Sequence, residues 1–187
     1  IVEHATLHLS GDALIEDLTA IVVTDFSGEI EADGVSVHYL RPMPPVNDAR
    51  GRAVFDSNHF FIPVESATLN SLRVESGKID LVDLDEESKW ANIDLTIAGP
   101  VLDAMRLIDE PPLQYATKFG FNMAGLEGRQ RTKLVIRMPL KTAVKPSEVE
   151  VVVSASITDF AAERVAFGEA ARDGRVTLQV DKNQMIV

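Results

Sequence analysis

Apolar and polar positions alternate one by one along most of this chain, most cleanly in four stretches. Ile93, Leu95 and Ile97 alternate with Asn92, Asp94 and Thr96. Leu134, Ile136 and Met138 alternate with Lys133 and Arg137, with Val135 as the exception. Val149, Val151, Val153, Ala155 and Ile157 run against Glu148, Glu150, Ser154 and Ser156. Val176, Leu178 and Val180 run against Arg175, Thr177 and Gln179. A period of two puts each set on its own side of a sheet, so these segments predict strands with one apolar and one wet face.

Less regular versions fall at 28–32, 34–40 (with Val35, Val37 and Tyr39 in phase), 51–56, 59–64, 67–75 and 77–84. Asp33-Gly34, Ser76-Gly77 and Asp173-Gly174 read as hairpin turns between short strands. The pattern predicts a mainly β, antiparallel fold of hairpins and meanders.

One segment breaks the alternation. In GPVLDAMRLIDEPPLQYATKFGF, residues 99–121, apolar residues recur three and four apart. Gly99 and Pro100 stop the preceding strand, and proline suits a first helical turn. Leu102, Met105 and Ile108 then form a stripe with Val101, opposite Asp103, Arg106 and Asp109. Glu110 precedes Pro111 and is pushed out of the helical region. Pro112 can start a second helix carrying Leu113, Ala116 and Phe119, ended by Gly120. Two helices of about nine residues, each about 13 Å long, are too short to stand alone. Leu102, Met105, Ile108, Leu113 and Phe119 are therefore expected to lie on the sheet's apolar face or across its edge, as a cover. The chain then divides into a first β part (1–98), a helical insertion (99–121) and a second β part (122–187).

Composition narrows the function. The 187 residues carry a net charge of −11, which argues against a nucleic-acid surface built of clustered Lys and Arg. No segment approaches the roughly 20 apolar residues of a membrane-spanning helix. The chain opens on Ile1 rather than Met and reads as a piece of a longer protein. It has no cysteine, which removes disulfides, thiolate nucleophiles and Cys-based zinc sites.

Candidate chemistry is sparse. His4 and His8 share a face if residues 4–9 form a strand, but a metal site needs three or four converging ligands; these read as surface histidines, and no metal or other cofactor is expected. Asp83, Asp85 and Glu87 open like a calcium loop, yet Ser88 stands at the glycine position, so a solvated acidic turn is expected. Arg50/Arg52 and Arg129/Arg131/Lys133 are small basic groups flanked by acids. The proline-rich run around Pro42, Pro44 and Pro45 reads as a connection between strands. No nucleophile elbow, zinc-protease, phosphate-loop or dinucleotide motif occurs, and the chain is not expected to be an enzyme.

Several landmarks in fixed order carry a resemblance. Tyr39–Val46 is similar to a Y-L-P-P-x-P-P-V connection, with Arg41 at one of the prolines; Gly51–Phe55 follows as G-x-x-x-F. Gly99–Leu113 is similar to a G-P-x-x-D-x-L-x-L-L-D-x-P-P-L helix, with Met105 and Ile108 at apolar positions. A strand ending at Pro139-Leu140 and the A-x-x-x-D of Ala155–Asp159 complete the series. From about residue 25 to the end, the chain resembles the central region of the AsmA-like superfamily, YhdP branch.

The resemblance implies a long envelope protein of a Gram-negative bacterium, anchored in the inner membrane by an N-terminal helix and projecting into the periplasm. It implies a curved, groove-like β sheet that carries phospholipid or another acyl-chain lipid toward the outer membrane. The apolar sets named above would line that groove. A chain of about 16 methylenes loses on the order of 13 kcal/mol if left in water, so the lining must be continuous. Alternation alone fits a closed sandwich equally well. A closed β module that binds envelope protein partners is therefore the alternative, and bare sheet edges could also pair this chain edge to edge with another copy.

Overall fold

Period-two patterning becomes one antiparallel meander. The structure, a computed structural model, describes residues 2–14, 17–163, 170–181 and 185–186. Its strands are β1 (Val2–Leu14), β2 (Asp17–Val37), β3 (Val46–Asp56), β4 (Phe60–Leu69) and β5 (Leu72–Val82). They continue with β6 (Trp90–Pro100), β7 (Glu127–Pro139), β8 (Glu150–Ala162), β9 (Ala171–Val180) and the two-residue β10 (Met185–Ile186). Each pairs with its neighbours in chain order, giving one ten-stranded sheet. The sheet is open, and among the described residues no second sheet packs against it. The expected mainly β, antiparallel class is what forms.

The expected turns are corrected. Asp33-Gly34, Ser76-Gly77 and Asp173-Gly174 all lie inside strands, at or next to breaks in register. Asp173 (φ 53°) and Gly34 (φ 65°) are left-handed, a conformation that a β-bulge uses as readily as a tight turn. Residues 28–32 and 34–37 are thus parts of β2, and residues 38–40 belong to the connection that follows it. Segments 67–75 and 77–84 regroup as β4 and β5, joined by a hairpin that Leu69 and Leu72 close around Asn70 (φ 54°) and Ser71.

Within β5 one extra residue, Glu75, separates Val74 (opposite Ile97) from Ser76 (opposite Thr96). The bulge shifts the alternation by one, so Leu72 and Val74 share a face with Gly77, Ile79 and Leu81. Strict parity had no means of joining them.

The helical interruption forms where expected, with shifted details. Pro100 ends β6 and caps α1 (Val101–Asp109), and Glu110 is extended at φ −64°, ψ 145°, as its position before Pro111 requires. The second helix, α2 (Tyr115–Phe119), starts at Tyr115 rather than Pro112 and ends on left-handed Gly120. Gln114, before its first turn, is left-handed and contributes no side-chain cap. Asp109 takes over: its carboxylate accepts the Thr117 N–H at 2.7 Å and the Thr117 hydroxyl at 2.8 Å. Asp109→Ala is expected to lower the local stability of α2 by about 1 kcal/mol, the usual worth of a helix cap. Faster amide exchange at Thr117 with an unchanged global melting temperature would register it.

Candidate functional site

The site is a sheet face, and strand register builds it. Directly opposed residues of antiparallel strands project to the same side. Ile93 lies between Ile79 on β5 and Ile136 on β7, and its row runs on to Ile62 and Val151. Leu95 lies between Gly77 and Leu134; Val64 and Gly51 extend that row one way, Val153 and Val180 the other. Ile97 continues through Val74 and Ala67 on one side and through Thr132, Ala155 and Leu178 on the other. Gly99, Gln130, Ile157 and Val176 form the row nearest α1. At the other strand ends Ala91 lies between Leu81 and Met138, with Phe60 and Phe55 beyond. The Phe55 and Phe60 rings stack at 5.4 Å.

Twelve expected residues therefore come together on one face: Ile93, Leu95, Ile97, Leu134, Ile136, Met138, Val151, Val153, Ile157, Val176, Leu178 and Val180. Four do not belong to those rows. Val149 precedes β8, and Tyr39 lies in the loop after β2, its hydroxyl 3.9 Å from the Met43 sulfur. Val35 and Val37 pair with Ala49 and Val46 beyond breaks in register. The proline-rich connection is residues 38–45, a turn that buries Met43.

The first half of the face (Ile30, Ala53, Ile62, Val64, Ile79) was hidden in the sequence by bulges and by Gly51 and Gly77. Pairing continues it to Ala5 and Leu7 on β1.

Most of this face is half-buried, and among the described residues no large side chain is fully buried. At about 4.8 Å per strand and about 3.3 Å per residue, five rows across ten strands span about 45 Å by about 25 Å, on the order of 1,000 Å², against the few hundred Å² of apolar patch usual on a soluble monomer.

Only a small part is capped. Helix α1 packs against β6, β7 and α2, and the Ser71 hydroxyl ties it to the β4–β5 hairpin by donating to Asp103 at 2.5 Å. The cover differs from the expected stripe. Val101 and Ala116 are the buried members, Leu102, Met105 and Leu113 are half-buried, and Ile108 is exposed. The side chain of Phe119 lies outside the described residues. The apolar face is polar at two neighbouring positions, Thr132 and Gln130. Gln130, only 4% exposed, accepts a hydrogen bond from the Thr132 hydroxyl, which satisfies its carbonyl in an apolar setting.

The opposite face carries charge. Glu29 pairs with Arg52, His59 with Asp80, and Lys133 with Asp94 at 3.4 Å. Glu75, the extra residue of the β5 bulge, accepts from Arg131 at 2.8 Å with Arg73 3.7 Å away. The hydrogen bonds from Arg131 and Arg52 hold the Glu75 and Glu29 carboxyls below the usual glutamate range. Arg137 stacks over Trp90 at 4.4 Å. Among the described residues no three His, Asp or Glu side chains gather as a metal site. No protein-family model, curated protein or solved structure matches the chain.

Proposed function

We propose that this chain is a section of a bridge-like lipid-transfer protein of the AsmA-like type. In this reading the sheet bends into a trough whose apolar face holds the acyl chains of phospholipid, while its charged face meets the periplasm. The full-length protein is anchored in the inner membrane and carries lipid toward the outer membrane. The chain is a conduit and performs no chemistry on its cargo.

One observation carries the reading: among the described residues, apolar rows cross strand after strand without a second sheet over them. A closed β module would bury these side chains against another layer. A conduit instead leaves them open, because every methylene of the cargo needs an apolar neighbour, at about 0.8 kcal/mol each. Aliphatic rows joined edge to edge meet that demand, with the helices capping only part of the face.

Purified chain, prepared without detergent, is expected to carry phospholipid, detected by native mass spectrometry and by thin-layer analysis of a solvent extract. It should also take up a fluorescent phospholipid from vesicles. Protein that is reproducibly lipid-free and acquires no probe would end the proposal.

A further inference from the structure

Gln130, on the apolar side of β7, is the one buried polar side chain among the described residues. Its neighbours across the strands are Gly99 on β6 and Ile157 on β8. The Thr132 hydroxyl donates to its carbonyl oxygen and so decides which end of the amide is left over. The amide nitrogen donates to no group among the described residues. It is not sealed in either, because among those residues no enclosed side-chain nitrogen or oxygen lacks a partner. Its N–H donors therefore open onto the surface of the apolar face. A purely structural role has no use for them. Leucine or methionine would fill the same space, and amide donors that meet only hydrocarbon are destabilising.

We propose that the Gln130 amide donates to the ester carbonyl oxygen of an acyl-ester lipid whose chains lie along the apolar rows. This deepens the conduit reading and rests on it. A cargo made of hydrocarbon chains offers acceptors only where the chains join the head group, and that junction belongs at one end of an apolar path. Gln130 stands at such an end. It lies one residue pair inside Pro100–Arg129, the last pair between β6 and β7, in the row nearest α1. From Gln130 to Met138 the strand runs eight residues, about 25 Å at about 3.3 Å each, and presents Leu134, Ile136 and Met138 on the way. The chains of one bilayer leaflet fill about half of a hydrocarbon core about 30 Å thick. An acyl chain that starts at Gln130 thus fits along the strand without leaving the apolar face, with its head group at the strand ends, toward water. Thr132 is the positioning residue: by holding the amide carbonyl it leaves the N–H donors for the cargo.

The test compares two lipids of equal chain length and the same head group, a diacyl phosphatidylcholine and its dialkyl ether counterpart, which has no carbonyl. The chain is incubated with vesicles containing both in equal amounts, and bound lipid is counted by native mass spectrometry. Wild-type chain is expected to take the diacyl lipid about three- to tenfold more often, the worth of one net hydrogen bond. Gln130→Leu is expected to bind both lipids equally, and Thr132→Val to lose most of the preference. With isotope-labelled ester carbonyls, the infrared carbonyl band of bound lipid should fall in frequency on wild-type chain and stay unshifted on Gln130→Leu. Equal binding of the two lipids by wild-type chain, or an unshifted carbonyl band on it, overturns the proposal and leaves the conduit reading standing. Neither measurement needs a variant to fold. A preference that folded Gln130→Leu retains also overturns the proposal, and binding of neither lipid overturns the conduit reading with it.

Discussion

Replacing Leu95 with arginine is expected to abolish phospholipid retention while leaving the sheet folded. Leu95 lies in the middle row, between Gly77 and Leu134 and half-buried on the uncovered face. In a sealed core an unpaired guanidinium would cost several kcal/mol and unfold the domain. On an open face the arginine stem can lie along neighbouring aliphatics while its charged head reaches water, at a cost of about 1–2 kcal/mol. The same head interrupts a hydrocarbon path, because an acyl chain cannot offset its desolvation. Val151→Arg repeats the test in the Ile93 row; Val151 is already 37% exposed, so the fold should tolerate it with less loss. Far-UV circular dichroism with a thermal melt reports folding, and native mass spectrometry reports bound lipid. A folded Leu95→Arg chain that keeps its lipid would show that this row lines no path, and an unfolded one would show that the row is sealed.

Gly77→Ala is expected to destabilise the chain by about 1–3 kcal/mol, the usual cost of overpacking. A Cβ at Gly77 would stand 2.4 Å from the Asp94 carbonyl oxygen and 3.0 Å from the Leu95 Cα. Both are backbone atoms of the adjoining strand, so relief requires β5 and β6 to move apart in mid-sheet. Gly174→Ala on β9 is the control, because its nearest contacts would be 3.6–3.7 Å, ordinary van der Waals distances, and a change of less than about 0.5 kcal/mol is expected there, as for other substitutions free of such a clash. Urea midpoints at constant m-value compare the two. Equal midpoints for the two variants would mean that β5 and β6 are less closely spaced at Gly77 than the structure places them.

Much was legible without coordinates because it depends on neighbours in sequence. Alternation at 92–97, 133–138, 150–157 and 175–180 assigned the β class and the apolar side of four strands. Pro100, Glu110 before Pro111, and Gly120 marked the start and end of the helical interruption through backbone sterics that act over one or two residues. The turns went wrong for an equally local reason. Glycine after aspartate or serine permits unusual backbone geometry, but that geometry serves a bulge inside a strand as well as a turn between two. Only pairing with the next strand separates these uses.

What the sequence determined by itself, then, is the supply of one-sided strands and the place where they are interrupted. The tertiary structure decided how the strands were used. Bulges at Glu75 and elsewhere changed parity in mid-strand, so that Leu72 joined Ile79, and Gly51 and Gly77 entered an apolar row that composition would never assign them. Asp109 came to cap the next helix through Thr117, eight residues away. Above all, ten strands paired in a single file rather than folding back as two layers. Alternation states which side of a strand avoids water; whether another sheet meets that side depends on pairings between residues far apart in the chain, where no local pattern reaches.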